Sequence, residues 1–419
     1  MKTNIWIMNH YAGGMFFDQG GRHYNFAKYL RRAGYAPVIF CANSKHGKPE
    51  QFLETDALWT ERSAGEIDTP FVFVKARTYT GNGKQRVLNM VDFYRNVQKA
   101  AVEYAAKHGK PDVIYASSVH PLTLVAGIRL AKRFGVKCIC EVRDLWPESI
   151  VAYSSCFTKK NPLIRLLYQG EKWIYKKADT LVFTMEGAYD YIVEQGWEKD
   201  IPRSKVHYIN NGVDLELFDY NKEHFRVEDP DLDDPDTFKV IYTGSIRHVN
   251  NLGLLLDAAK CVKDSRVKIL VWGDGDEREA LERRIRDENI SNVVFKGMVE
   301  KKYIPSIVSR ADLNFAHNDP SPLFRFGISF NKLFDYLAAG KPILCDFPCP
   351  YNPAVTYDAG IETSDTQPQK VAKAIEDLAT SAKQERQSYC TNARRAAEDY
   401  DFMRLTDKLI SVIEDISEK

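Results

Sequence analysis

In this 419-residue chain the residues able to do chemistry gather where short apolar runs end. The run DVIYA (112–116) leads into Ser117, Ser118 and His120, with Pro121 opening a helix. KCICEV (137–142) carries Glu141 and gives way to Arg143, Asp144 and Glu148 around Trp146 and Pro147. Charges at the end of a buried strand are costly unless paired or used. Arg143 therefore reads either as half of a structural ion pair or as part of a polar site, and His120 either as a packed histidine or as a site residue. The first apolar run, NIWIMN (4–9), enters HYAGGMFFDQGGRHYNFAKYL, with Gly13, Gly14, Gly20 and Gly21 ahead of a helix from about Arg22. Glycines let backbone approach a ligand, and the N–H groups of a helix start attract anions. The spacing is not G-x-G-x-x-G and no acid closes the next strand, PVIFCANSK, which disfavours nicotinamide chemistry.

The second half repeats the pattern. FKVIYT (238–243) runs into Gly244, Ser245, Arg247 and His248 before a helix expected near Asn251; backbone donors, a helix start and a guanidinium suit a diphosphate. VKILVW (267–272) runs into Gly273 of WGDGDERE, a second glycine turn that could equally be a plain connection. Further on, FGISFNKLFDYLAAGKPI places Ser329, Asn331, Lys332 and Asp335 at the start of a short helix stopped by Gly340. Three-residue spacing sets Lys332 and Asp335 on one face, where alone they would form a surface pair worth a few tenths of a kcal/mol.

The elements that position these residues are strands alternating with helices, which predicts parallel sheets covered on both faces. Strands are expected near 4–9, 36–41, 70–75, 112–116, 137–142, 180–184 and 206–209, and again near 238–243, 267–272, 292–296, 313–316 and 342–345, with a helical tail over 368–417. The organisation reads as a first Rossmann-like domain over 1–215 and an acidic, solvated linker over 216–237. A second such domain follows over 238–398, and then a terminal helix, 399–419, free to pack back on the first domain. Ligands of such sheets sit at the carboxyl ends of the strands.

A net charge of +1 hides an asymmetry: residues 1–215 hold 30 Lys and Arg against 21 Asp and Glu, and the remainder 28 against 36. The basic half is suited to an anionic partner. Nucleic-acid binding is not expected, because the excess is modest and surrounds no recognition motif. The cysteines, scattered and mostly inside apolar runs, read as buried free thiols. No apolar run reaches eighteen residues, and the six-residue run near the N-terminus is too short for a secretory signal, so the expected location is the cytoplasm.

Taken together, QGGRHYNFAKYL, SSVHP, VRDLWPES, NNGVD, YTGSI, WGDGDERE and SFNKLFDYLAAGKPIL resemble, in order and spacing, the retaining glycosyltransferases of family 4. The flavour is that of bacterial O-antigen and capsule enzymes such as fucosaminyltransferases. The resemblance implies the GT-B fold, an α/β arrangement of two facing Rossmann-like domains with a cleft between them. It implies transfer of a sugar, in this subgroup an N-acetylated amino sugar, from a nucleotide donor of the UDP type. The acceptor would be polyprenyl-diphosphate-linked or a saccharide, and no obligatory metal is expected. By position Asp335 would bind the nucleotide ribose. The family's second acid falls on Gly327, and its diphosphate-binding arginine and lysine fall on Ser245 and Asn250. Arg247 and Lys332 are then the available cations, with Gly244, Ser245, Gly273, Ser329 and Asn331 around the donor. His120 would orient the sugar, and Gly20, Gly21, Arg143 and Asp144 would belong to the acceptor side.

The segment 159–177, KKNPLIRLLYQGEKWIYKK, has six basic residues against one acid. Leu163, Leu166, Leu167, Trp173 and Ile174 are expected along one helical face, either packed on a sheet or docked on an anionic membrane. Two other functions fit the same architecture: a UDP-N-acetylglucosamine 2-epimerase, and an inactive nucleotide-sugar-binding subunit.

Overall fold

The computed structural model describes residues 3–65, 68–118, 120–153 and 156–418, with residues 64 and 249 described by their backbone alone. It falls into two compact units, Met1–Asn210 with Phe402–Lys419, and Asn211–Asp401.

The first unit is built on β1 (Asn4–Asn9), β2 (Ala36–Ala42), β3 (Trp59–Ala64), β4 (Thr69–Val74), β5 (Val113–Ser117), β6 (Lys137–Val142), β7 (Thr180–Phe183) and β8 (Val206–Tyr208). They form one sheet in the order β3-β4-β2-β1-β5-β6-β7-β8, parallel except where β3 runs against β4. The central strands are continuous apolar runs because both faces are covered: Ile5, Trp6, Ile7 and Met8 are all fully buried. Chain order reverses between β1 and β5, the place where open sheets of this kind receive ligands. Register pairs Asn9 with Ser117 and Ser117 with Glu141, so three strand ends present a row of polar side chains.

In the second unit β9 (Phe238–Thr243), β10 (Val267–Trp272), β11 (Val293–Gly297), β12 (Leu313–Ala316), β13 (Ile343–Cys345) and β14 (Gly360–Glu362) make an all-parallel sheet. Its order, β11-β10-β9-β12-β13-β14, is that of a doubly wound dinucleotide fold, with the switch point between β9 and β12. Its core runs from Val240 and Tyr242 through Leu255, Ile269 and Phe315 to Ile375.

Several elements differ from expectation. β3 (WTERSA) and β14 (GIE) carry no apolar run, and pairing to β4 and β13 makes them strands. Gly13–Asp18 is a short helix rather than a loop. The acidic stretch is not an extended linker: it holds helices Leu215–His224 and Pro230–Asp233 in the second unit. Asp229 and Asp231 there bind Lys296 at 2.8 and 2.6 Å. The Phe402–Ser417 helix belongs to the first unit, where Phe402 meets the Phe26 ring edge-on at 5.7 Å and the Tyr35 hydroxyl donates to Glu414 at 3.0 Å. No disulfide joins cysteines among the described residues, and Cys156 is exposed rather than buried. No helix among the described residues is long and apolar enough to cross a membrane.

Candidate functional site

In the second unit the strand ends and one helix start assemble an anion-binding geometry. The Asn331–Ala339 helix begins after Phe330 with no side-chain cap and no acid in its first turn; the Leu333 N–H is spent on the Phe330 carbonyl at 3.1 Å, which leaves those of Asn331 and Lys332 available among the described residues. Lys332, in that turn, folds its ammonium over the Tyr242 ring, 4.1 Å from the centroid. It donates to the Tyr242 hydroxyl at 3.0 Å and to the His317 carbonyl at 3.2 Å. A third ammonium donor is left over. Gly244 lies beside it: a Cβ there would come within 3.4 Å of Lys332 Nζ, on a backbone at φ +149°. Burial lowers the Lys332 ammonium to about 7, although Asp346 pulls the other way.

The same helix anchors the sheet. The Tyr336 hydroxyl accepts from the Thr243 N–H at 2.8 Å and from its hydroxyl at 3.2 Å, fixing the end of β9. Asp335 is half-buried, and its carboxylate makes no hydrogen bond and does not pair with Lys332 among the described residues. Burial raises its carboxyl to about 7, opposed by the charge of Lys301. Ser329 is held by Asn211, whose amide nitrogen donates to its carbonyl at 2.9 Å. Asn331, the first helical residue, is exposed.

Other expected donor residues have mixed settings. Arg247 is exposed, without an ion pair among the described residues, and precedes a 3-10 turn, His248–Asn250, so the α-helix starts only at Gly253. Ser245 donates to Asn250 Oδ1 at 2.8 Å; the two positions where the family resemblance points to cations satisfy one another instead. Gly273 is demanded by backbone packing, since a Cβ would lie 1.8 Å from the Gly244 carbonyl oxygen. Gly327, at φ +109°, ends a 3-10 turn, and Asp319 accepts from Asn251 at 3.1 Å.

In the first unit the polar row at the strand ends centres on Glu141, which is fully buried. It accepts from Arg22 Nε at 2.6 Å, Ser117 Oγ at 2.6 Å and the Tyr115 hydroxyl, and lies 2.9 Å from His23 Nε2. Burial alone would raise its carboxyl; Arg22 and His23 overcome that and hold it well below the usual range. Arg22 also donates to the carbonyls of Ile209, at 2.8 Å, and Asn210. The first side chain of the helix behind Gly20 and Gly21 is thus committed to an internal ion pair. The pair expected of Arg143 is made by Arg22 instead, and the Arg143 N–H donates to Ser118 Oγ at 3.0 Å. Asp144 is exposed.

His120 is buried, 2.6 Å through Nε2 from Nδ1 of His10, which stacks on Phe93. Burial, reinforced by Arg86, lowers His120 to about 3, so the imidazole is neutral near pH 7. Among the described residues His120 Nδ1 is buried without a hydrogen-bond partner. One ring of the pair must donate to the other, so His10 sets which nitrogen of His120 carries its proton.

Sequence reasoning missed His10, the Glu141 hub and a buried pair in the second unit, His317 Nδ1 with Asp346 Oδ2 at 2.5 Å. Strand order is the missing signal: Ala316 pairs with Cys345, so the residues just beyond them become neighbours.

The Glycosyltransferase Family 4 profile matches residues 22–217, and the Glycosyl transferases group 1 profile matches 237–381. Each half thus matches a glycosyltransferase profile. TuaH of Bacillus subtilis (strain 168), assigned to teichuronic acid biosynthesis as a glycosyltransferase, is 25% identical over 217 residues; the match spans 49% of either chain. The alignment therefore covers about half the length of that curated relative. Sucrose-phosphate synthase of Thermosynechococcus elongatus superposes with TM-score 0.74 at 17% identity, covering 99% of both chains. HepE of Anabaena, solved in complex with UDP, gives 0.65 at 15% identity, over 99% of this chain and 100% of that one. Trehalose 6-phosphate synthase of Burkholderia multivorans gives 0.71 at 14% identity, over 100% and 99%. The fold of the chain is GT-B, with two Rossmann-like sheets.

Proposed function

We propose that the chain is a retaining glycosyltransferase of surface-polysaccharide synthesis that takes its sugar from a UDP donor and passes it to a lipid-linked or saccharide acceptor. The observation that carries the reading is the uncapped helix start at Asn331, with Lys332 beside Gly244 at the switch point of the second sheet. The family matches, the polysaccharide assignment of TuaH and the UDP and UDP-glucose complexes of HepE support it. Donor binding falls to the second unit: Lys332 and the helix N–H groups meet the diphosphate, and Asp335 accepts from the ribose. Arg247, exposed and unpaired, is the second cation, and Ser245, Ser329 and Asn331 border the diphosphate.

In the reaction the acceptor oxygen bonds to the anomeric carbon as the bond to the diphosphate breaks. The acceptor proton goes to the departing phosphate oxygen. Charge collects on the diphosphate, where fixed donors lower the barrier. His120, neutral, orients the sugar through a hydrogen bond. Gly20, Gly21, Arg143 and Asp144 belong to the acceptor side, and an N-acetylated amino sugar is the donor group. The enzyme would act on the cytoplasmic face of a membrane.

Thermal-shift measurements with UDP, GDP, dTDP and their sugars, repeated on Asp335→Ala, test the donor site. UDP should raise the melting temperature of the natural chain, and the variant should lose most of that rise, as expected for a carboxylate hydrogen bond of about 1.5–3 kcal/mol. A variant that responds like the natural chain overturns the assignment.

A further inference from the structure

The Pro162–Lys177 helix has two unlike faces. Ile164, Tyr168, Glu171, Ile174 and Tyr175 point inward and are buried. This corrects the single stripe expected from the sequence, because Ile174 belongs to the inner face. Outward, Leu163, Leu166 and Trp173 are 54%, 68% and 41% exposed. They recur at intervals of three and seven residues and line one ridge. Tyr153 and Phe157, in the segment leading to the helix, are exposed as well.

Charge follows the same division. The one acid of the helix, Glu171, is turned inward, where it accepts from the Tyr175 and Tyr191 hydroxyls at 2.7 and 2.6 Å. Lys172 and Lys176 share Asp200, and Lys159 is paired with Glu148 and Glu194. The side chains of Lys160, Arg165 and Lys177 make no ion pair or hydrogen bond among the described residues. The outer face thus offers a bulky apolar ridge flanked by unpaired positive charge. A helix that served only to cover the sheet would need neither.

We propose that this face docks on an anionic phospholipid bilayer, with Leu163, Leu166 and Trp173 entering the headgroup boundary and Lys160, Arg165 and Lys177 meeting lipid phosphates. The unpaired cations favour this occupant over a second copy of the chain, whose identical face would bring like charges together. The inference rests on the proposed function for its purpose, since it gives a membrane-borne acceptor a place to be met. Its test uses neither donor nor acceptor, so the two readings fail separately.

The full chain is centrifuged with phosphatidylcholine vesicles with and without phosphatidylglycerol, at low and high salt. The natural chain should sediment with the anionic vesicles only, and release as salt rises. Lys160→Gln with Arg165→Gln and Lys177→Gln should weaken partitioning by about 100-fold. Leu166→Ser with Trp173→Ser should abolish it, with the thermal midpoint unchanged because both side chains are exposed. Absence of binding by the natural chain, or variants that bind as it does, overturns the proposal. So does a dimer in sedimentation velocity that the Leu166→Ser, Trp173→Ser variant dissolves, because the face then belongs to a second copy.

Discussion

Lys332 and Asp335 lie three residues apart on one helix, and burial drives them toward the same pH from opposite sides, the ammonium down and the carboxyl up, each to about 7. For Asp335, the folded chain binds a proton between about pH 4 and 7 that the unfolded chain has lost, so this group's contribution to stability falls as pH rises through that window. Asp335→Asn removes the cost. The ligand-free variant should exceed the natural chain in denaturant stability by about 1–2 kcal/mol at about pH 8, after solvent screening, and match it near pH 4. A variant equally displaced at both pH values would show that the carboxyl does not titrate in this range. For Lys332 the sign reverses, because between about 7 and 10.5 the folded chain has lost a proton that the unfolded chain keeps, and the ammonium is half charged near 7. If it meets the diphosphate, UDP affinity measured by calorimetry should decline above neutrality by up to about tenfold per pH unit. Lys332→Arg should flatten that decline, since a guanidinium stays charged; a parallel decline in both proteins would exclude the contact. The two residues were legible in the sequence from helical spacing and the Gly340 stop. The burial of Lys332 was not, because it depends on Tyr242 and on the carbonyl of His317, which strand order alone brings to the lysine. Glu141 illustrates the same limit. It was visible as a charge ending a strand, but its cation comes from Arg22, 119 residues earlier.

At the scale of elements, apolar runs announced the parallel strands almost to the residue, because a strand buried on both faces has little choice of composition. β3 and β14 escaped notice because each is held at an edge by its neighbour's backbone. The glycine turns were visible too, although their reasons differ. Gly273 was expected to meet a ligand, and its setting is a backbone crossing between the loops after β9 and β10, where φ is +153° and a Cβ would lie 1.8 Å from the Gly244 carbonyl oxygen. Backbone cannot yield as a side chain can, so Gly273→Ala should destabilise the second unit by about 2–5 kcal/mol through strain and overpacking. Gly170→Ala is the counterpart: a Cβ there meets nothing within 4 Å, in the middle of the Pro162–Lys177 helix. It should stabilise by about 0.5–1 kcal/mol. Hydrogen exchange resolved by unit separates the two effects. Equal protection of the second unit in Gly273→Ala and in the natural chain would mean that the loop opens without cost.

Over the whole molecule the two sheets were legible from the restart of the strand rhythm at Phe238, but the path of the chain between the units was only half so. The sequence of charges suggested a linker at 216–237, whereas the units divide at Asn210 and again at Asp401, and the chain returns to the first unit for its last helix. That return is written in the spacing of Phe402, Leu405, Leu409, Val412, Ile413 and Ile416, all buried. Spacing shows that these residues seek a core, and it cannot say which one. Their burial is worth on the order of 10 kcal/mol, comparable to the entire stability of a domain. A chain ending at Asp401 should therefore lose the first unit and keep the second, although the deletion follows the second in sequence. Limited proteolysis should digest 1–210 of the truncated chain while sparing 211–401. A milder change, Leu409→Ala, should leave the fold intact and cost the first unit about 2–5 kcal/mol. If the truncated chain instead loses protection in 211–401 and keeps it in 1–210, the last helix completes the second unit.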